Sequence, residues 1–241
     1  MGLPAGTALT VHHAGNFEIL DSGTYENFSA VTVYVGASNV TIRRCRVYGM
    51  KSWNGSITVS STATNTVIED CDIGPDAGFF DSPAVFGKTY SARRNWVHGF
   101  RDAFEGETRL VVESNYYATL EAGDARRLLV ARGAVEGLVV RGNVCDLGET
   151  GYSCLDINRD PPAHGVETSF IERNWFNTGN YTLRLNGLRS GTDGGAAVML
   201  RGNRFGPHKQ YGYLYGSDAW IASEDNFDVG TQMFVDLSNK P

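Results

Sequence analysis

The stretch DINRDPPAH places Asp156, Asn158, Arg159, Asp160 and His164 within nine residues, and two prolines stiffen its second half. Carboxylates, an amide, a guanidinium and an imidazole at such density can move protons or grip a polar ligand. Upstream, RDAFEGE supplies Asp102 and Glu105; downstream, YTLRLNG supplies Arg184. Two carboxylates about 6.5–9.5 Å apart suit inverting glycoside hydrolysis, one as acid and one as base. A neighbouring arginine keeps its carboxylate ionised and holds a sugar carboxylate or hydroxyl. Lyase chemistry on a uronate needs a base near the C5 proton and a cation on the carboxylate, for which Arg184, Arg159 or Arg126 would serve. Either chemistry requires elements that bring distant positions together, because 51 positions separate Glu105 from Asp156 and 28 separate Asp156 from Arg184.

A repeat provides them. NVTIRRCRVYG at 39–49 returns as NTVIEDCDIG at 65–74, with Cys45 and Cys71 in one slot. Asn95, Asn115, Asn143, Asn174, Asn203 and Asn226 follow in the same slot, at intervals of 26, 24, 20, 28, 31, 29 and 23 residues counted from Cys45. Three residues before the slot stand Ile42, Ile68, Ala92, Val112, Val140, Ile171, Leu200 and Ser223. A variable period of this length is the mark of a solenoid. Its units alternate at period two and are rich in Val, Ile, Thr and aromatics, so they read as strands. A fixed leucine framework is missing, and a propeller blade needs roughly 40 residues. The fold class expected is therefore all-β: a single-stranded right-handed parallel β-helix of about nine coils with an internal Asn ladder. One domain over 1–241 is expected, with 1–38 as cap and first coil, 39–228 as regular coils and 229–241 as the end. Asn suits the slot because it tolerates left-handed backbone and because its amide can bond the next amide in a stack. Cys45 and Cys71 read as small buried side chains, within reach of a disulfide at strand spacing.

On this frame apolar alternation points Ile57, Val59, Phe104, Leu128, Val130, Leu155, Ile157, Leu183 and Leu185 inward. Thr58, Glu105, Leu129, Asp156, Arg184 and Tyr213 then form an outward column, with Glu107, Ala131, Asn158 and Asn186 as a second. Glu105 and Asp156 come to lie two coils apart, about 9–10 Å. The residues after the slot put Trp96 beside Tyr116, with Trp175 further along, as an aromatic strip for sugar faces or for assembly. His98 follows a slot and is expected on a turn away from the column.

The start LPAGTALT, the NVTI coils and the tail NTGNYTLRLNG…VMLRGNRFGPHKQYGYLYG resemble a group of right-handed parallel β-helix proteins of the pectate-lyase-like superfold, found in actinobacteria and in the tails of their phages. The resemblance covers nearly the whole chain. It implies binding or cleavage of polysaccharide, virion or secreted location, and partners that include a homotrimer or other tail proteins. Members carry EDGIK in one coil, matched here by RDAFEG, which keeps Asp102 and puts Glu105 at the lysine. A second motif, His-x-Asp-Gly, falls at GDARRLLVARG, where Asp124 is displaced and Arg126 and Arg127 stand instead. From the column, the cluster and the aromatic strip, the candidate catalytic set is Glu105, Asp156, Asp102 and Asp160, and the candidate ligand-binding set is Arg184, Arg159, Asn158, Trp96, Tyr116 and Trp175. Recognition without cleavage comes first, an active depolymerase second, and a purely structural tail component third.

The net charge of −6 argues against a nucleic-acid partner. No run approaches the 18 apolar residues of a membrane span. MGLPAGTALT has neither the basic segment nor the apolar stretch of a leader, and reads as mature sequence or as a cut from something longer. No metal or other cofactor is expected. Calcium on Asp102, Asp156 and Asp160 is the weaker alternative, since no spaced calcium loop is present.

Overall fold

The structure, a computed structural model, describes residues 1–49, 55–118, 127–148, 151–178, 180–215 and 218–239. Every named element is a β-strand. The strands form one sheet of nine and one of 18. Pairing is parallel throughout, except at the C-terminal end, where Met233–Phe234 returns antiparallel to Phe227–Asp228.

The repeat read from the sequence is the pairing unit. In the nine-stranded sheet each repeat supplies one short strand, such as Val111–Glu113, which pairs with Ser91–Arg93 before it and Val139–Arg141 after it. The central residues stack in register from Tyr25 through Ile42, Ile68, Ala92, Val112, Val140, Ile171 and Leu200 to Ser223. From Ile42 to Leu200 they are fully buried. A second inward stack, two residues after the slot, runs from Val47 through Ile73, Val97, Tyr117, Cys145 and Phe176 to Phe205. Each buried Ile, Val or Phe stabilises by about 1.5–3 kcal/mol, so the period-two pattern is what closes the sheets on one core.

Between these stacks lies the slot. Each Asn donates its Nδ2 to the Oδ1 of the next, at 3.0, 3.1, 3.0, 3.0 and 2.9 Å from Asn95 to Asn226. The same Oδ1 also accepts the backbone N–H of the preceding slot residue, as Asn143 does from Asn115 at 2.9 Å. Nδ2 spends its second proton on a carbonyl of the previous repeat, as Asn143 does on Val112 at 2.7 Å. The ladder thus satisfies backbone groups that the bend would otherwise bury unpaired.

Two expectations are corrected. The slot Asn is not the left-handed residue; that position is one earlier, with φ between 53° and 63° at Asn27, Arg44, Asp70, Arg94, Ser114, Gly142, Arg173, Gly202 and Asp225. The first segment is also no irregular cap. Gly23–Glu26 pairs in register with Val40–Arg43, and Phe28 occupies the slot above Cys45. Its bulky ring, where the later repeats carry Cys or Asn, hid it from the pattern. All four cysteines are free and buried.

Candidate functional site: an arginine-clamped carboxylate column

The outward column exists, with a shifted register. Tyr34, Thr58, Phe86, Glu105, Val130, Asp156, Arg184 and Tyr215 are successive strand partners. Glu105 and Asp156 are two strands apart, as expected, but Val130, expected to point inward, stands between them in place of Leu129. Leu129 and Ala131 face the core instead, and Tyr215 takes the place assigned to Tyr213. The slip came from RLLVARG, in which Leu128, Leu129 and Val130 are all buried and no alternation is visible. A one-residue shift moves every side chain to the other face. Tyr213 instead donates its hydroxyl to Asp228, which also accepts from Lys209 at 2.8 Å.

Around Asp156 the structure assembles a charge network. Arg127 forks onto Asp102, with Nε to Oδ1 at 2.7 Å and Nη2 to Oδ2 at 3.0 Å. Its Nη1 donates to Asp156 Oδ2 at 2.9 Å. Arg101 adds a bond to Asp102 Oδ2 at 2.8 Å. Arg132 and Arg184 approach Asp156 at 3.5 and 3.8 Å. Asp102 is 0 % and Asp156 2 % exposed, so guanidiniums stand where water would otherwise solvate these carboxyl groups. Burial disfavours the charge on Arg127, but Asp102 and Asp156 more than reverse this and raise its pKa. Arg127 therefore ties three successive strands together. Sequence reasoning saw it only as part of a motif departure.

Glu105 is half-buried. Desolvation raises its pKa above 4.5, the charge of Asp102 raises it further, and Arg132, Arg101 and Arg127 oppose both. It lines a pocket of about 210 Å³ with Phe86, Lys88, Glu107 and Arg132. The column thus holds a carboxyl group biased toward its acid form and, two strands on, a carboxylate fixed among arginines. Asp102 lies beneath the column as the anchor of Arg127, with both oxygens engaged.

The other expected site residues are dispersed. Asp160 is exposed beyond the column. Arg159 donates to the Val135 carbonyl at 2.7 Å, away from Asp156. Asn158 stands in the second outward column between Arg132 and Asn186. His164 bonds Ser190 Oγ at 3.2 Å, and His98 bonds Asp72 Oδ1 through Nε2 at 3.0 Å, so neither histidine joins the network. Asp124 and Arg126 lie outside the described residues. Among the described residues no three His, Cys, Asp or Glu side chains converge as a metal would require, and no helix is long and apolar enough to cross a membrane.

The aromatic strip is in register, Trp96 beside Tyr116, then Val144, then Trp175. Trp96 is overlaid by the N-terminal segment, where Gly2 donates to the Arg94 carbonyl at 2.8 Å and a Cβ on Gly2 would stand 2.7 Å from Trp96 Cβ. A second aromatic group went unread: Tyr152, Tyr181, Tyr211 and Tyr215 meet at the Arg184 end of the column. The intervals of 29 and 30 residues between Tyr152, Tyr181 and Tyr211 nearly match the ladder intervals there, which was the signal available.

No protein-family model, curated protein or solved structure matches the chain.

Proposed function

We propose that the chain is a right-handed parallel β-helix acting as a carbohydrate-recognising module of a phage tail, directed at a host-surface polysaccharide. The observation that supports this is the outward column, where charged Glu105, Asp156 and Arg184 stand in register between Phe86 on one side and Tyr215 on the other. An extended, hydroxyl-rich ligand laid along such a column would meet the hydrogen-bonding groups of Glu105 and Arg184 and the rings of Phe86 and Tyr215. The phage assignment, the virion location and a trimeric assembly rest on the resemblance. Retention of the purified protein on insoluble actinobacterial cell-wall polysaccharide tests the reading; a protein that passes through unretained overturns it.

A second reading, an active depolymerase, has one specific support. Glu105, whose pKa is raised by burial, would serve as the acid, and Asp156, two strands on, as the partner carboxylate. Incubation with the same polysaccharide would then release new reducing ends. Unsaturated-uronate absorbance would accompany them for a lyase but not for a hydrolase. Glu105→Gln and Asp156→Asn would abolish the products.

A further inference from the structure

The tyrosines at the end of the column form a cradle. Tyr152, Tyr211 and Tyr215 are 39 %, 58 % and 44 % exposed, and with Tyr181 they line one pocket of about 150 Å³. Tyr181 holds the set together, its ring centroid 5.5 Å from Tyr211 and 4.8 Å from Tyr215. Three exposed aromatic rings gathered at one point suit a partner that offers a flat, partly apolar face.

Two further observations define that partner. Arg184 lines the pocket with its guanidinium over the Tyr215 ring, 5.4 Å from the centroid. Its Nε stands 3.8 Å from the buried Asp156 Oδ1, close enough to be steered and too far to be hydrogen-bonded. Arg127 already occupies the other oxygen of Asp156. Arg184 is thus oriented from behind by a fixed carboxylate and from the side by a ring, while among the described residues it donates no hydrogen bond. A planar fork with free donors is the group that best takes an anionic oxygen pair. Ser153 also lines the pocket; it is 1 % exposed and its hydroxyl has no hydrogen-bond partner among the described residues. A buried hydroxyl left unpaired is costly, and a ligand hydroxyl would relieve it.

We infer that this cradle is a subsite for a pyranose unit carrying an anionic substituent, a carboxylate or a phosphate. The electron-poor C–H face of the ring lies on the tyrosines, a ring hydroxyl meets Ser153, and the anion accepts from Arg184. The inference rests on the carbohydrate reading above and adds the charge class of the ligand. None of its residues except Arg184 was among those expected from the sequence.

The test is a titration of the full chain with glucuronate, glucose 6-phosphate and glucose, followed through the tyrosine ring resonances. At least one anionic sugar should bind about tenfold tighter than glucose, the value of one charge-assisted hydrogen bond. Which of the two does so identifies carboxylate or phosphate. Added salt should erase the preference in the unmodified protein, which needs no variant to fold. Arg184→Gln should bring the anionic sugar down to the level of glucose, and Tyr215→Ala should weaken all the sugars that bind. Anionic sugars that bind no tighter than glucose, with Arg184→Gln unchanged, would sink the anionic subsite and leave carbohydrate recognition standing. Silence of the tyrosine resonances toward all three sugars, together with no retention on cell-wall polysaccharide, would sink both.

Discussion

At the scale of the residue, one side chain can serve three strands at once. Asn143 accepts from Asn115 twice, donates to Asn174 Oδ1 and donates to the Val112 carbonyl. Asn143→Leu leaves the Asn115 N–H and one of its Nδ2 protons buried and unpaired. Each such orphan costs about 1–3 kcal/mol, so chemical denaturation should show a drop of at least that size. Asn143→Cys should cost less, because Cys71 fills the same slot with its Sγ bonded to the Glu69 carbonyl at 3.2 Å. Glu105 carries a different prediction. Its folded pKa is raised, so the charged form works against folding: the unfavourable contribution is absent below pH 4.5 and complete once pH has risen through the folded value. Glu105→Gln should therefore raise the melting temperature at pH 7 and leave it unchanged near pH 4. A variant less stable than the parent at pH 7 would contradict the desolvation that dominates this site.

At the scale of the element, the repeat was legible and the outward face only in part. Inward stacks announce themselves because a slot residue and an apolar residue three before it recur in chain order, whatever the loop between. The column could be read wherever a strand alternates cleanly, as LDIN and LRLN do around Asp156 and Arg184, and failed where RLLVARG does not. The carboxylate network was half legible: Asp102, Glu105, Asp156 and Arg184 stood out by type, whereas Arg127 could be placed only once its strand's register was known. The tyrosine cradle was hidden because its members do not share one offset from the slots: Tyr152, Tyr181 and Tyr211 sit nine, seven and eight residues after theirs, and Tyr215 twelve. The bend before each slot offers a test of how the elements are joined. Gly142 has φ 63°, and a Cβ there would meet Ser114 Oγ at an ordinary 3.5 Å. Space is not the obstacle, so Gly142→Val should cost only the backbone penalty of left-handed geometry, about 1–2 kcal/mol, while Gly142→Asn should cost far less. Equal melting temperatures for the two variants would remove the conformational explanation.

At the scale of the whole molecule, strand pairing joins each repeat to the one before and the one after it, while a few bonds reach further, as from Arg109 to Glu167 and from Gly2 to Arg94, so stability rests mainly on nearest-neighbour contacts. Function and support are correspondingly separate. The ladder and the inward stacks hold the repeats together, and the outward column and its tyrosines lie on side chains that the stacks do not use. The far end departs from parallel pairing, where Met233–Phe234 turns back on Phe227–Asp228 and Asp228 ties down the Gly230 N–H at 2.7 Å.

That reversed last strand has a mechanical meaning. A pull applied to the C-terminus loads the Asn239–Ile221 bridge and then the antiparallel pair, after which the repeats meet the load in turn from that end. The molecule should then pay out like a line from a reel, releasing one repeat at a time. With 20 to 31 residues between slots, each release lengthens the chain by roughly 70–110 Å. Force spectroscopy should record a staircase of unequal treads that follow the slot intervals in reverse order; one single release of the whole chain would show that the repeats yield together.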